Sequence, residues 1–90
     1  MAKFYDMYKS LDEFYDTMLR GNEIEFVYKE KCYFLLPNFK NNKIKGILFG
    51  VFGSEEEIIC LSKQELYNIP IETEVFGEIL SSIHILWSNM

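Results

Sequence analysis

The stretch that decides the fold is SLDEFYDTMLRGNEIEFVYKEKCYFLL, residues 10–36. Its first half carries the signals of a capped helix. Ser10 and Glu13 have the S-x-x-E spacing of a capping box, in which each side chain accepts a hydrogen bond from a free backbone N–H. Apolar residues then recur at the i, i+3, i+4, i+7 spacing of one helical face. Gly21 suits the left-handed position that follows a helix, so the residues predict a helix that ends at Arg20.

The second half of the stretch changes to the two-residue period of a strand. Ile24, Phe26 and Tyr28 occupy alternate positions, which is typical of a half-buried strand. Lys29-Glu30 is expected to be a weak turn, because a two-residue hairpin prefers a pair such as Asn-Gly. A second strand follows this turn. The stretch therefore predicts a helix followed by a hairpin.

The rest of the chain predicts further strands and a second helix. Ser62 and Glu65 repeat the capping-box spacing and predict a short helical turn. Pro70 should end it, because the residue before a proline avoids the helical region. The polar segment 38–43 is expected to be a loop that follows a strand closed by Pro37. The predicted elements are strands at 24–28, 32–36, 44–52, 56–61 and 83–87, and a second helix at 73–81.

These elements predict the fold class and the domain organisation. The fold class is α+β, with a single antiparallel sheet of four to five strands, an N-terminal helix and a second helix near the C-terminus, all helices packed on one face. Residues 1–90 are expected to form one such domain. No apolar run approaches the roughly 18 residues of a membrane span, and no signal-peptide pattern is present. A cytoplasmic protein that does not bind membranes is therefore expected.

The charge is divided unevenly along the chain, whose formal net charge is −5. Residues 46–90 carry seven acidic residues against Lys63, for a net charge of −6, whereas residues 1–45 carry +1. This balance argues against direct binding of nucleic acid. The acidic half suits a protein partner with a basic surface. The alternative for its three consecutive glutamates is a solvated turn without a binding role.

The predicted partner-binding residues combine acidic side chains with aromatic anchors. Glutamates would steer a basic partner, and aromatic side chains would supply contact area, because aromatic residues often dominate binding energy. The predicted set is Glu55, Glu56, Glu57, Glu72, Glu74, Tyr67 and Phe76. The alternative is that the six tyrosines and eight phenylalanines only complete a small core and its rim.

No group of residues predicts a catalytic or metal site. His84 is the single histidine and lies near no recognisable nucleophile motif. Cys32 and Cys60 lack the C-x-x-C spacing of a zinc site, so two reduced core cysteines are expected. Asp12 and Asp16 share a helix face and are expected to be solvated. The chain is therefore expected not to be an enzyme and to need no cofactor and no metal.

The sequence resembles small α+β proteins of low-GC Gram-positive bacteria and of their phages and mobile elements. The resemblance rests on S-L-D-E-F at residues 10–14 and R-G-N-E-I-E-F-x-Y at residues 20–28. Those proteins often have Asn-Gly where this chain has Lys29-Glu30. The resemblance implies the fold and carries neither an activity nor site residues.

Together these observations predict a small acidic protein-binding module without enzymatic activity. Its concrete forms would be an immunity protein of a toxin system or a phage inhibitor of a host defence nuclease, such as an anti-CRISPR protein. Either would occlude a basic surface of another protein. The alternative is a homo-oligomeric structural or regulatory domain. Excess aromatic residues and a possible open sheet edge at residues 83–87 favour a homodimer.

Overall fold

The computed structural model describes residues 2–88. Their elements in chain order are β1 (Ala2–Lys3), α1 (Phe4–Met7), α2 (Leu11–Met18), β2 (Ile24–Tyr28), β3 (Lys31–Lys40), β4 (Lys43–Val51), β5 (Glu57–Cys60), α3 (Lys63–Tyr67), β6 (Pro70–Ile71), β7 (Glu74–Val75), two 3₁₀ turns (Phe76–Glu78 and Leu80–Ser82) and β8 (His84–Ser88). The main sheet has six antiparallel strands in the order β1-β8-β2-β3-β4-β5. The α+β class is confirmed, but the main sheet has six strands rather than the predicted four to five, and β6 pairs with β7 in a second sheet where a single sheet was predicted.

Helix α2 forms where the sequence predicts a helix, but it ends at Met18, two residues before the predicted end at Arg20. Ser10 Oγ accepts a hydrogen bond from the Glu13 N–H at 3.1 Å, which satisfies one of the free donors at the helix start. Phe14 and Met18 are buried on the apolar face. Gly21 has φ of +103°, a conformation that glycine adopts without the steric cost of a side chain. The local signals therefore act together to begin and end this helix.

Strands β2 to β4 are joined by two tight turns. In the β2–β3 turn, Lys29 and Glu30 have φ of 49° and 67°, and in the β3–β4 turn Asn41 and Asn42 have φ of 54° and 64°. Two consecutive positive φ angles are the pattern of a type I′ hairpin turn. The predicted loop at 38–43 is therefore wrong, because both strands continue up to the two asparagines.

The prediction that Pro37 closes a strand is wrong, because Pro37 lies inside β3. It pairs with Ile47 of β4, whereas the pairing with β2 stops at Leu35, opposite Ile24. The missing N–H of the proline therefore falls where β3 has run past β2, and no neighbouring strand needs it.

The predicted helix at 73–81 is wrong. This segment forms β7 and the two 3₁₀ turns. Phe76, Ile79 and Leu80 are buried. The three-residue spacing of Phe76 and Ile79 therefore fits a 3₁₀ turn, which has three residues per turn, as well as it fits an α-helix. Gly77 lies against the ring of Tyr67, where an added Cβ would overlap the ring. Close contact at a glycine, which is itself a weak helix former, helps to explain the irregular path.

The final strand is β8, close to the predicted strand at 83–87. It lies between β1 and β2, since Ile85 pairs with Ala2 on one side and with Phe26 on the other. The predicted open edge at 83–87 is therefore wrong at His84 and Ile85, where β1 covers it.

The hydrophobic core lies on one face of the sheet, between the strands and the helices. Phe26 of β2 contacts Phe76, whose ring also contacts Phe14 of α2, at centroid distances of 5.5 Å and 6.1 Å. Asn22 is the buried polar residue of this core. Its Nδ2 donates to Tyr8 Oη at 2.9 Å, and its Oδ1 accepts from Ser88 Oγ at 3.2 Å. The other face of the sheet carries none of the helices described above.

Candidate protein-interaction surface

The face of the sheet that lacks helices carries an apolar patch. Residues paired directly across antiparallel strands project to the same side. Leu36 pairs with Leu48, and Leu48 pairs with Ile59, so these three side chains form a row across β3, β4 and β5. Leu35, Phe49 and Cys60, which are neighbours of these residues along the three strands, are buried in the core, which places the row on the opposite side.

Two aromatic side chains extend this row. Phe34 pairs with Gly50, and its ring lies over the glycine where a Cβ would overlap it. Phe52 packs edge-on against Phe34, with ring centroids 5.4 Å apart and an interplanar angle of 69°. Leu61 follows Ile59 by two residues and lies beside Gly46. The six residues that we call the open-face patch are Phe34, Leu36, Leu48, Phe52, Ile59 and Leu61.

The open-face patch is large enough to matter for binding. Phe52, Ile59 and Leu61 are 51%, 49% and 65% exposed, and the other three residues are half-buried. Taking about 200 Å² for a whole large apolar side chain, the patch exposes about 400 Å². Patches of this size on a monomer are often functional, whereas single exposed apolar residues are ordinary.

Acidic residues border the patch at the start of β5. Glu57 pairs with Gly50, so its side chain lies on the open face beside Phe34. Glu55 and Glu56 are exposed in the preceding loop, where the Glu56 N–H donates to Ser54 Oγ at 3.1 Å. We call residues 55–57 the acidic triplet. It forms a charged rim next to an apolar centre, as in many protein interfaces.

Glu72 and Glu74 are engaged with the β2–β3 hairpin. Lys31 Nζ lies 2.9 Å from Glu72 Oε1, and Lys29 Nζ lies 3.2 Å from Glu74 Oε1. Tyr28 Oη also donates to Glu74 Oε1 at 2.9 Å. This hydrogen bond, together with Lys29, lowers the pKa of Glu74 below its usual value. These two glutamates thus have cationic partners within the chain, unlike an acidic surface left open for a basic protein.

The predicted aromatic anchors lie on the other side of the molecule. Phe76 has no exposed surface, so its prediction as an anchor is wrong: the side chain fills the core. Tyr67 is 38% exposed, and its ring packs on Gly77 among the helices.

The residues of the open-face patch were missed by sequence reasoning, although a signal for them exists. The runs CYFLL at 32–36 and ILFGVF at 47–52 are apolar at both alternating positions. Such runs are typical of strands that are apolar on both faces, whereas a half-solvated antiparallel strand alternates.

The cysteines and the histidine show no arrangement for catalysis. Cys60 is buried, and burial, followed by the charge of Glu65, raises the pKa of its thiol to about 11. A thiol with a raised pKa is a poor nucleophile. Cys32 is half-buried on β3, opposite Val27. His84 is exposed on β8.

A shallow cleft of about 430 Å³ lies between α2 and α3, lined by Asp12, Tyr15, Asp16 and Lys63. Lys63 forms an ion pair with Asp12 across it. Among residues 2–88, no group of three or more His, Cys, Asp or Glu side chains is arranged to hold a metal ion. The cleft thus contains an exposed ion pair that joins two helices.

Comparison of the chain with protein-family models, with curated proteins and with solved structures found no significant match. Within residues 2–88, the helices are all too short to cross a membrane. The open-face patch with its acidic rim is the feature of this molecule from which a function can be inferred.

Proposed function

We propose that the protein is a non-enzymatic binding module that holds another protein on the open face of its sheet. The observation that carries this proposal is the open-face patch. An antiparallel sheet with helices on one face normally presents polar side chains on the other. Here, Leu36, Leu48 and Ile59 form an uninterrupted apolar row on that face. A partner that covers this row would remove its apolar surface from water.

The aromatic pair of the patch is suited to act as an anchor. Phe34 is held in place from below by Gly50 and from the side by Phe52. A side chain that is already ordered loses less conformational entropy on binding. Phe52 is half exposed, and buried aromatic contacts near the centre of an interface often dominate its binding energy.

The acidic triplet favours a partner with basic residues beside an apolar surface. Opposite charges at the rim of an interface raise the association rate more than they raise affinity. An antagonist that occludes the basic surface of another protein combines these features. An immunity protein and an inhibitor of a defence nuclease, such as an anti-CRISPR protein, are the forms of antagonist that we propose.

The test of the proposal is capture of a partner by wild type and by two variants. The patch variant carries Phe52→Ser and Leu48→Ser, and the control variant carries Tyr5→Ser. Tyr5 is 54% exposed on α1, outside the patch. We expect wild type and the control variant to capture the same protein from cells, and the patch variant to lose it. Once that partner is purified, its complex with the patch variant should have a Kd about a hundredfold higher than its complex with wild type, because two interface anchors are lost.

Folding of each variant is checked by circular dichroism and thermal unfolding before binding is measured. A folded patch variant that binds the partner as wild type does would refute the open face as the binding surface. Replacing the three residues of the acidic triplet by glutamine should slow association and reduce its salt dependence, with little change in stability. An unchanged association rate would refute the role of charge and leave the apolar patch as the binding feature.

A further inference from the structure

Strand β5 is an open edge of the sheet. Within residues 2–88, it pairs with β4 on one side and has no strand on the other. Proteins usually protect such edges by keeping the strand short, or with charged side chains, a proline, a bulge or a covering segment. β5 is short, at four residues, and begins with the charge of Glu57, but residues 58–60 are Ile-Ile-Cys without charge or proline, and they pair with β4 in an unbroken register.

The hydrogen-bond pattern identifies which backbone groups of β5 face outward. The Phe52 N–H donates to the Cys32 carbonyl at 3.1 Å, and bonded and non-bonded pairs alternate along an antiparallel ladder. Three residues before Phe52, the backbone groups of Phe49 therefore point away from β3 and toward β5. Phe49 pairs with Ile58, so Ile58 bonds to β4 and its neighbour Ile59 presents its N–H and carbonyl outward.

The same alternation turns the backbone of Glu57 and Leu61 outward. The Leu61 N–H donates to Glu65 Oε1 at 3.2 Å, which takes the place of a ladder partner at that end. Glu57 and Ile59 have no further strand beside them among residues 2–88. The outward groups of β5 can thus accept a short antiparallel strand centred on Ile59.

We propose that this strand is β5 of a second copy of the chain. The two copies would be related by a two-fold axis at Ile59, so that Ile59 exchanges both backbone hydrogen bonds with its equivalent. Ile58, which is 38% exposed, would lie opposite Cys60 of the second copy. The two sheets then form one continuous sheet of twelve strands.

The charges near β5 favour this antiparallel arrangement of two copies. Each strand begins with the acidic triplet, whereas its other end is followed by Lys63, which pairs with Asp12, and by Glu65, whose Oε1 accepts from the Leu61 N–H at 3.2 Å. Antiparallel pairing therefore places the acidic triplet of each copy near one charge of each sign, and it keeps the two triplets apart. A parallel arrangement would place the two triplets side by side, with repulsion between like charges.

The arrangement also enlarges the open-face patch. A two-fold axis perpendicular to the sheet keeps both open faces on the same side. Ile59 and Leu61, at the edge of each patch, would meet at the junction. The joined surface is smaller than the sum of two patches of about 400 Å², because Ile59 and Leu61 cover each other at the junction, but it approaches the roughly 800 Å² that one partner contributes to a standard protein interface. Use of this joined surface for binding rests on the proposed function, whereas the pairing itself does not.

Sedimentation equilibrium over about a thousandfold range of concentration tests the pairing. Pairing of one short strand buries less than a standard interface, so a reversible dimer is expected at high concentration. Ile59→Pro removes the outward N–H at an edge position that tolerates proline and should raise the dimer Kd about tenfold or more. Ile59→Lys, which places a charge at the junction, provides a second variant if the proline variant does not fold. Leu48→Ser is the matched control on the inner strand and should leave the dimer Kd unchanged.

Three outcomes would overturn the pairing at β5. Wild type that stays monomeric at the highest concentration would exclude the dimer. If Leu48→Ser raises the dimer Kd as much as the Ile59 variants do, the two copies associate face to face instead. Hydrogen exchange at the Ile59 amide should slow as concentration rises, and exchange independent of concentration would exclude pairing at β5. If the Ile59 variants are monomeric but bind the partner normally, the joined surface is refuted and Ile59 makes no contribution to binding, so the proposed function then rests on the rest of the patch, which the Phe52→Ser and Leu48→Ser variant tests. If the patch variant binds normally while the dimer persists, the proposed function fails alone.

Discussion

The β2–β3 turn is built from residues that disfavour its backbone conformation. Lys29 and Glu30 both have left-handed φ angles, which cost roughly 1–2 kcal/mol for a residue with a Cβ. Lys29 gains compensating contacts, because its Nζ lies 3.2 Å from Glu74 Oε1 and 5.3 Å from the centre of the Tyr28 ring. The exposed Glu30 side chain makes no hydrogen bond or ion pair with any of residues 2–88. Glu30 is therefore the residue at which backbone strain can be removed without losing a contact.

Glu30→Gly should raise the free energy of unfolding by about 1 kcal/mol. Glycine relieves the roughly 1–2 kcal/mol of left-handed strain, and its greater freedom in the unfolded chain takes back up to about 1 kcal/mol. A net gain of about 1 kcal/mol corresponds to a rise of about 4–8 °C in Tm for a domain of this size.

Thermal and urea unfolding measure this gain, with two matched variants as controls. Glu30→Ala removes the charge but keeps a Cβ at the same φ, so little change is expected. Asn42→Gly changes the equivalent position of the β3–β4 turn, where φ is 64°, and should give a smaller gain because asparagine tolerates this conformation. A Glu30→Gly variant no more stable than wild type, or an equal gain from Glu30→Ala, would refute backbone strain as the cause.

Three further predictions concern residues described above. Gly50→Ala should lower the free energy of unfolding by about 1–3 kcal/mol, because the new Cβ would overlap the Phe34 ring; urea unfolding that shows no loss would mean that the ring moves freely. Gly21→Ala should lower it by about 1 kcal/mol at a φ of +103°, and an unchanged Tm would contradict a requirement for glycine there. The hydrogen bond from Tyr28 lowers the pKa of Glu74 from 4.5, so this carboxylate stabilises the folded chain above its unfolded pKa, and its contribution is lost as pH falls through the lower, folded pKa. Glu74→Gln should therefore flatten the fall of Tm on acidification below about pH 4.5, and a profile parallel to wild type would show that the contact contributes nothing.

Local signals were sufficient to predict α2, β2 and the beginning of β3, although not the point where β3 ends. The Ser10 cap, the apolar face of α2 and Gly21 act within a few residues of one another, so their effect does not depend on the rest of the fold. The second cap at Ser62 behaves in the same way, since its Oγ accepts from the Glu65 N–H at 3.1 Å. Elements whose signals are local and mutually consistent are those that sequence reasoning identifies best.

The remaining elements depend on contacts between distant residues. The two residues of β1 form a strand because Ala2 and Lys3 meet Ile85 and His84, a pairing that no local pattern encodes. The irregular path near Gly77 likewise depends on the ring of Tyr67. The open-face patch depends on the number of layers in the fold: three short helices cover only one face of the sheet, so apolar residues on the other face stay exposed, and no local pattern shows which face that is.

The pairing of the chain's first and last strands has a consequence for the order of folding. Strands β2 to β5 are joined in succession, so each pairing closes only a short loop, whereas β8 reaches β1 and β2 only after most of the chain has been enclosed. Closure of longer loops costs more entropy and contributes to slower folding. Trp87, the single tryptophan, lies on β8 opposite Glu25. Its fluorescence in a stopped-flow experiment would therefore report the insertion of the last strand, whereas far-ultraviolet circular dichroism would report the earlier hairpins.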